Sequence, residues 1–299
     1  MRLRASAGEC PFILSIMIIA NDTYGMTLEF TKMNGAGNDF VMVDNRDGSR
    51  SLSREQIKRL CDRHRGIGAD GLIALEGSPE LPRMRYYNAD GGEAEMCGNG
   101  ARCFSRFTAR LLGLTSGSLS FQTEVGMLAA ELLSDDRVRL CMSEPHSLQL
   151  AHSLRVLDRD LEVHSLNTGV PHAVTFVQNP ENIDSLEETP VFELGRALRQ
   201  HQRFAPSGTN ANFVQILAPG SLSIRTYERG VEDETLACGT GVVASALIHH
   251  HLSKAPSPIS VKVRGGDTLE VGFREESGQL VSVTLSGHAD FVFSGSITI

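Results

Sequence analysis

Glu93-Ala-Glu-Met-Cys97-Gly-Asn-Gly100 and Glu234-Thr-Leu-Ala-Cys238-Gly-Thr-Gly241 read as one segment written twice, about half the chain apart. Each places a glutamate four residues before a cysteine, follows the cysteine with Gly-x-Gly, and then enters a stretch of helical character. The echo continues upstream more loosely, with Asn34 before Phe40-Val-Met-Val and Asn167 before Ala173-Val-Thr-Phe. An internal repeat of this size predicts two similar α/β domains, one cysteine from each, facing a shared cleft where a ligand would sit.

Outward from Cys97 the pattern is mostly short β-like runs, at 28–32, 40–44, 72–75, 83–88, 118–123, 127–133 and 138–142. Two helices interrupt them. One is predicted over 54–64 behind a Ser53/Gln56 capping box, the other from Gly98 to Leu112 with Gly113 as its stop. Ser143-Glu-Pro145 is the expected boundary, giving an N-terminal domain over 26–144 and a C-terminal domain over 145–287. In the second half, strands are predicted at 161–165, 173–177, 211–217, 221–227, 259–263, 268–273, 280–286 and 291–299. Helices are expected over 193–203 and from about Gly239 to Leu252, and the last strand, 288–299, is expected to pack back onto the first domain.

The chain has 299 residues, 41% of them hydrophobic, enough for two domains with real cores. Thirty-six acidic against 28 basic side chains leave a net charge of −8, which argues against a broad nucleic-acid footprint. No apolar run approaches the roughly 18 residues of a membrane span. Arg2 and Arg4 ahead of the apolar stretch 12–20 imitate a secretory leader, but no small-x-small cleavage site follows. Residues 1–25 therefore read as an extension or a misplaced start, and Met26 opens the first strand. Six cysteines without a Cys-x-x-Cys pair fit neither a disulfide scaffold nor a zinc site and predict a reducing, cytoplasmic setting. Cys10, Cys61, Cys103 and Cys141 share no special context and read as filler, and His249-His-His251 reads as a solvated helix end. No metal or cofactor is expected, since Gly-x-Gly lacks the third glycine of a dinucleotide loop.

A thiol just before a helix meets converging, unpaired backbone N–H groups, which favour thiolate and are expected to lower its pKa. Glycines there allow a ligand carboxylate to approach the same N–H groups. Two such sites around one cleft would hold a carboxylate between two helix ends, with a thiol on each side of the adjacent carbon. Inverting that carbon requires a base on one face and an acid on the other, and a thiolate/thiol pair supplies both. A non-catalytic amino-acid-binding protein needs no matched thiols. A thiol redox protein usually employs a nearby resolving cysteine, which is missing here.

Three segments together resemble the diaminopimelate epimerase family: Thr31-Lys-Met-Asn-Gly-Ala-Gly-Asn38-Asp-Phe40, Asn88-Ala-Asp-Gly-Gly-Glu-Ala-Glu-Met-Cys97-Gly-Asn-Gly-Ala-Arg102, and Tyr227-Glu-Arg-Gly-Val-Glu-Asp-Glu-Thr-Leu-Ala-Cys238-Gly-Thr-Gly241. The resemblance runs from about Met26 to the C-terminus and implies two domains, each a barrel-like sheet around a central helix. It implies a cofactor-independent epimerase of LL- and meso-diaminopimelate, in lysine and peptidoglycan biosynthesis, acting as a homodimer on a small-molecule substrate. Carried over, Cys97 and Cys238 are the acid/base pair, and Gly98, Asn99, Gly239 and Thr240 serve the reacting carboxylate. Asn88, Asn210, Glu228 and Arg229 meet the distal amino-acid group, Asn38 contacts substrate, and His172 lies near the reacting end. Two departures touch distal recognition only. Val170 stands where the family commonly has Asn, with Asn167 as a candidate substitute, and Gly71 stands where some members carry Gln. A related amino-acid racemase is the enzymatic alternative.

Overall fold

Cys97 and Cys238 each stand as the N-cap of a helix in the computed structural model, which describes residues 26–94, 96–177 and 185–299. The expected extension or misplaced start over 1–25, with Cys10, lies outside the described residues. The first half runs β1 (Thr27–Gly35), β2 (Asn38–Asp44), α1 (Arg54–Cys61), β3 (Gly71–Gly77), β4 (Pro82–Asn88), β5 (Glu93–Ala94), α2 (Gly98–Leu112), β6 (Gly117–Thr123), β7 (Gly126–Leu132) and β8 (Arg137–Cys141). The second runs β9 (His146–Val156), β10 (Arg159–Asn167), β11 (Pro171–Phe176), α3 (Val191–Arg199), β12 (Asn210–Ala218), β13 (Ser221–Glu228) and β14 (Asp233–Thr235). It continues through α4 (Gly239–Ser253), β15 (Ile259–Lys262), β16 (Thr268–Glu276), β17 (Gln279–His288) and β18 (Asp290–Thr298).

The repeat read from the cysteine segments is a repeat of strand pairing. β2 pairs antiparallel with β1 and parallel with β3, as β11 pairs antiparallel with β10 and parallel with β12. β4 takes β5 antiparallel and β6 parallel, as β13 takes β14 and β15. β8 then pairs with β17, which makes the sheet continuous across both halves. β18 returns to pair antiparallel with β1, and β9 holds the equivalent place beside β10.

Each half wraps its sheet around one helix. α2 touches β1, β2, β3, β4, β7 and β8, and α4 touches β10 to β13 and β15 to β17. Around α2 the core comprises Met33, Phe40, Phe104, Phe107, Phe121 and Leu140, among others. Around α4 it includes Val214, Ile224, Val243, Leu247, Val261 and Leu285. α4 is apolar on all sides, as a helix enclosed on all sides must be. α1 and α3 cover the outer faces with their own small cores, through Ile57 and Leu60 and through Leu194 and Leu198. The halves also interlock at the β1–β2 turn, where Ala36 enters the core around α4.

Several expectations need correction. The first helix ends at Cys61 rather than His64, because the Asp62 carboxylate takes the N–H groups of His64 and Arg65 into a turn. The helix expected over 193–203 is α3, starting at Val191 and ending at Arg199, followed by a separate 3-10 turn at Gln202–Phe204. β9 had no counterpart in the sequence reading, because most of its side chains are exposed and it shows no strong apolar alternation. His249 and His250 are not a solvated end but are 2% and 7% exposed. The His250 ring closes α4 by bonding the Ala255 carbonyl at 2.7 Å and meets Phe273 edge-on. Cys61 and Cys103 are buried, while Cys141 is exposed.

Candidate active site

The N-terminal ends of α2 and α4 meet. The Asn99 side chain, in the first turn of α2, donates through Nδ2 to the Ala237 carbonyl at 3.3 Å, one residue before Cys238. A Cβ on Gly239 would stand 3.9 Å from Asn99 Oδ1, so the two first turns are neighbours. A Cβ on Gly98 would touch nothing within 4 Å, as expected of a residue fronting an open space.

Both thiols lie where the repeat put them, but their acidity is not what a helix end alone predicts. The N–H groups of Gly100 and Asn99 reach Cys97 and pull its pKa down. At Cys238, which is 6% exposed, the Thr240 hydroxyl lies 3.6 Å from Sγ and the Gly241 N–H assists. Burial outweighs these donors at both sites and the Glu228 charge adds to it, so both thiols are raised above the ordinary thiol value. The expected lowering is thereby reversed. Glu228 is itself raised by burial, and Cys97 is among the charges acting on Cys238. Cys97, Cys238 and Glu228 therefore share one electrostatic environment.

Asn38 accepts from Asn99 Nδ2 at 2.6 Å and donates to Asp70 Oδ2 at 2.9 Å. Asp70 and Asp39 are both bridged by Arg63, and Lys32 pairs with Asp39 at 2.8 Å. Against a burial effect that pushes it up, Arg63 and Lys32 hold the Asp39 carboxyl down to about 2. Asn210 donates one N–H to the Pro171 carbonyl at 3.1 Å and accepts the Arg229 backbone N–H at 2.8 Å. The Arg229 guanidinium reaches the Ser207 carbonyl at 3.2 Å. Asn167 Oδ1 accepts the Gly169 N–H at 2.9 Å and so closes the β10–β11 turn, while Thr168 Oγ1 donates to the Thr240 carbonyl at 3.0 Å. Asn88, at the end of β4, accepts from the Tyr86 hydroxyl at 2.9 Å.

Buried His172 has its pKa lowered to about 3 by burial, helped by the nearby Arg229 charge, and is neutral. Its Nδ1 accepts from Asn212 Nδ2 at 3.1 Å, and its Nε2 has no partner among the described residues. Asn212 also donates to the Ala173 carbonyl and accepts from Thr226, directly beneath the bare backbone of Gly241. Sequence reasoning missed Asn212, although a buried Asn amid the apolar run of β12 was a readable signal. Arg102 was missed as well. It is fully buried, donates to Asn99 Oδ1 at 2.9 Å, and reaches the His288 carbonyl. Among the described residues no group of His, Cys, Asp and Glu side chains is arranged to hold a metal ion.

The diaminopimelate epimerase family matches the chain at residues 30–148 and 164–292, once in each half. The diaminopimelate epimerase of Chlorobaculum tepidum is 44% identical over 271 residues, covering 89% of this chain and 100% of that protein. That of Aquifex aeolicus is 38% identical, covering 91% of this chain and 98% of that protein. Among solved structures, a probable proline racemase from Agrobacterium radiobacter has a TM-score of 0.68 at 15% identity, over 91% of this chain and 92% of that one. A hydroxyproline epimerase from Agrobacterium vitis has a TM-score of 0.67 at 15% identity, over 91% of each chain. These structures share the fold, and the matched sequence of both halves decides the family. The chain belongs to the diaminopimelate epimerase family.

Proposed function

We infer that this protein interconverts LL- and meso-diaminopimelate by proton transfer between two thiols, without a cofactor. The reading is carried by one observation: two N-cap cysteines on repeat-equivalent helices whose first turns abut, both under the influence of the same Glu228. The thiolate of one cysteine takes the proton from the α-carbon on one face. The electron pair left behind spreads into the α-carboxylate, whose oxygens receive N–H groups from the Gly98–Asn99 and Gly239–Thr240 ends. The thiol of the other cysteine then delivers its proton to the opposite face. The stereocentre is inverted, and the two cysteines have exchanged protonation states.

Poor solvation suits this chemistry, because a thiolate of raised pKa is a stronger base toward a weak carbon acid. The distal amino-acid group would meet Asn88, Asn210, Glu228 and Arg229, with Arg229 suited to a carboxylate and Glu228 to an ammonium. Asn38 completes the wall beside Asn99, and neutral His172 lies behind Asn210 and Asn212. The setting is the cytoplasm, where free thiols persist. The working form is a homodimer. No helix among the described residues is long and apolar enough to cross a membrane.

The test is α-proton exchange in deuterium oxide with LL-diaminopimelate under reducing conditions, for the native protein, Cys97→Ala and Cys238→Ala. Inversion with solvent deuterium incorporation is expected in the native protein and is expected to vanish in both variants. No exchange by the native protein would sink the diaminopimelate assignment, and exchange with other amino acids would then point to a racemase.

A further inference from the structure

Gly71 opens β3 opposite Asn88 at the end of β4, and Tyr86 and Asn88 project from the same face of β4. The Tyr86 ring lies over the bare backbone of Gly71. A Cβ there would stand 2.7 Å from Tyr86 Cε2 and 2.5 Å from the Tyr87 carbonyl oxygen, so any side chain at 71 would displace the ring and the strand beneath it. The ring is braced edge-on by Phe40, with centroids 6.0 Å apart, and packs with Cys97 against the core around α2. Its hydroxyl donates to Asn88 Oδ1 at 2.9 Å. The bare backbone of Gly71 thus leaves the space that the Tyr86 ring fills.

We propose that Tyr86 is a positioning residue of the distal subsite: it pins the Asn88 carboxamide by its oxygen, so that the Asn88 Nδ2 group faces the substrate and donates to its distal carboxylate. An exposed carboxamide with no such partner presents its oxygen or its nitrogen with comparable ease, and so reads ammonium and carboxylate alike. The tyrosine removes that ambiguity. Its hydroxyl remains a donor over the working pH range, because burial and then the charges of Cys97, Asp70 and Glu228 hold the proton on. The proposal deepens the function inferred above and rests on it.

The experiment is steady-state epimerisation of LL-diaminopimelate by the native protein, Tyr86→Phe, Asn88→Ala and the double variant. Tyr86→Phe keeps the ring that fills the space over Gly71, and thermal unfolding checks that the variant is folded. It is expected to raise KM about tenfold with kcat held within about twofold, the pattern of a lost ground-state contact. Added to Asn88→Ala, the same change is expected to have no further effect, since the tyrosine acts through the asparagine. An unchanged KM, a fall in kcat alone, or fully multiplicative effects in the double variant would each overturn the proposal. If the native protein is active and Tyr86→Phe matches it, this inference fails by itself. If the native protein does not turn over diaminopimelate, the proposed function fails and this inference goes with it.

Discussion

At Cys97 and Cys238 two effects oppose one another. Helix-end N–H groups favour thiolate, while removal from water and the charge of Glu228 favour thiol, and the second set prevails at both residues. The two-thiol reaction needs one group ionised and its partner protonated. With both raised, the neutral-pH enzyme carries both protons, and the active fraction grows as pH rises toward the lower of the two values. The expected kcat/KM profile therefore climbs by about tenfold per pH unit from pH 7, and falls only when the second thiol ionises. Measuring kcat/KM from pH 6 to 10, with iodoacetamide alkylation rates alongside, checks this. A plateau between pH 6 and 8 would mean a thiolate already formed, and the burial argument would be wrong. The sequence made the two cysteines conspicuous because their context is duplicated. It hid Arg102 and Tyr86, whose work is to hold other side chains brought close only by folding.

Among the elements, helices were easier to locate than their ends. α1 announced itself by the Ser53/Gln56 capping box, with both reciprocal bonds formed, and α2 by Gly113, which takes the left-handed conformation at φ 70°. α3 has no side-chain cap, and its bounds were misjudged at both ends. β9 went unseen because an exposed strand has no apolar face to betray it. α3 also rests unusually close to β13, where a Cβ on Gly195 would lie 2.3 Å from Tyr227 Cβ. Gly195→Ala would gain helix propensity yet force α3 away from the strand that carries Glu228 and leads into Arg229. Its expected net cost is about 1–3 kcal/mol, read as a lower denaturant midpoint at unchanged slope. An unaltered midpoint would show that α3 floats on the sheet rather than clamping it.

The architecture of the whole molecule follows from the duplication. The repeat and the paired cysteines were readable, whereas the continuous sheet was not, because nothing local in β8 or β17 indicates that they pair across the halves. β18 exposes Val292 and Phe293, the latter edge-on against Phe30, and this apolar strand is where the proposed homodimer is put to the test. Light scattering should then give about twice the single-chain mass of 32.4 kDa, and Phe293→Glu should halve it. A native protein of single-chain mass would remove the dimer. The pairing of β18 with β1 has another consequence: the first half is not a contiguous stretch of polypeptide, since it borrows its closing strand from the far end of the chain. The Ile299 N–H bonds the Met26 carbonyl at 3.0 Å, so both ends of this fold lie side by side. A circular permutant joined there and reopened at Ser143-Glu-Pro145 would carry each half on an uninterrupted segment for the first time. Cutting the natural chain at the same place would instead leave β1 as a bare sheet edge, open to pairing with other chains.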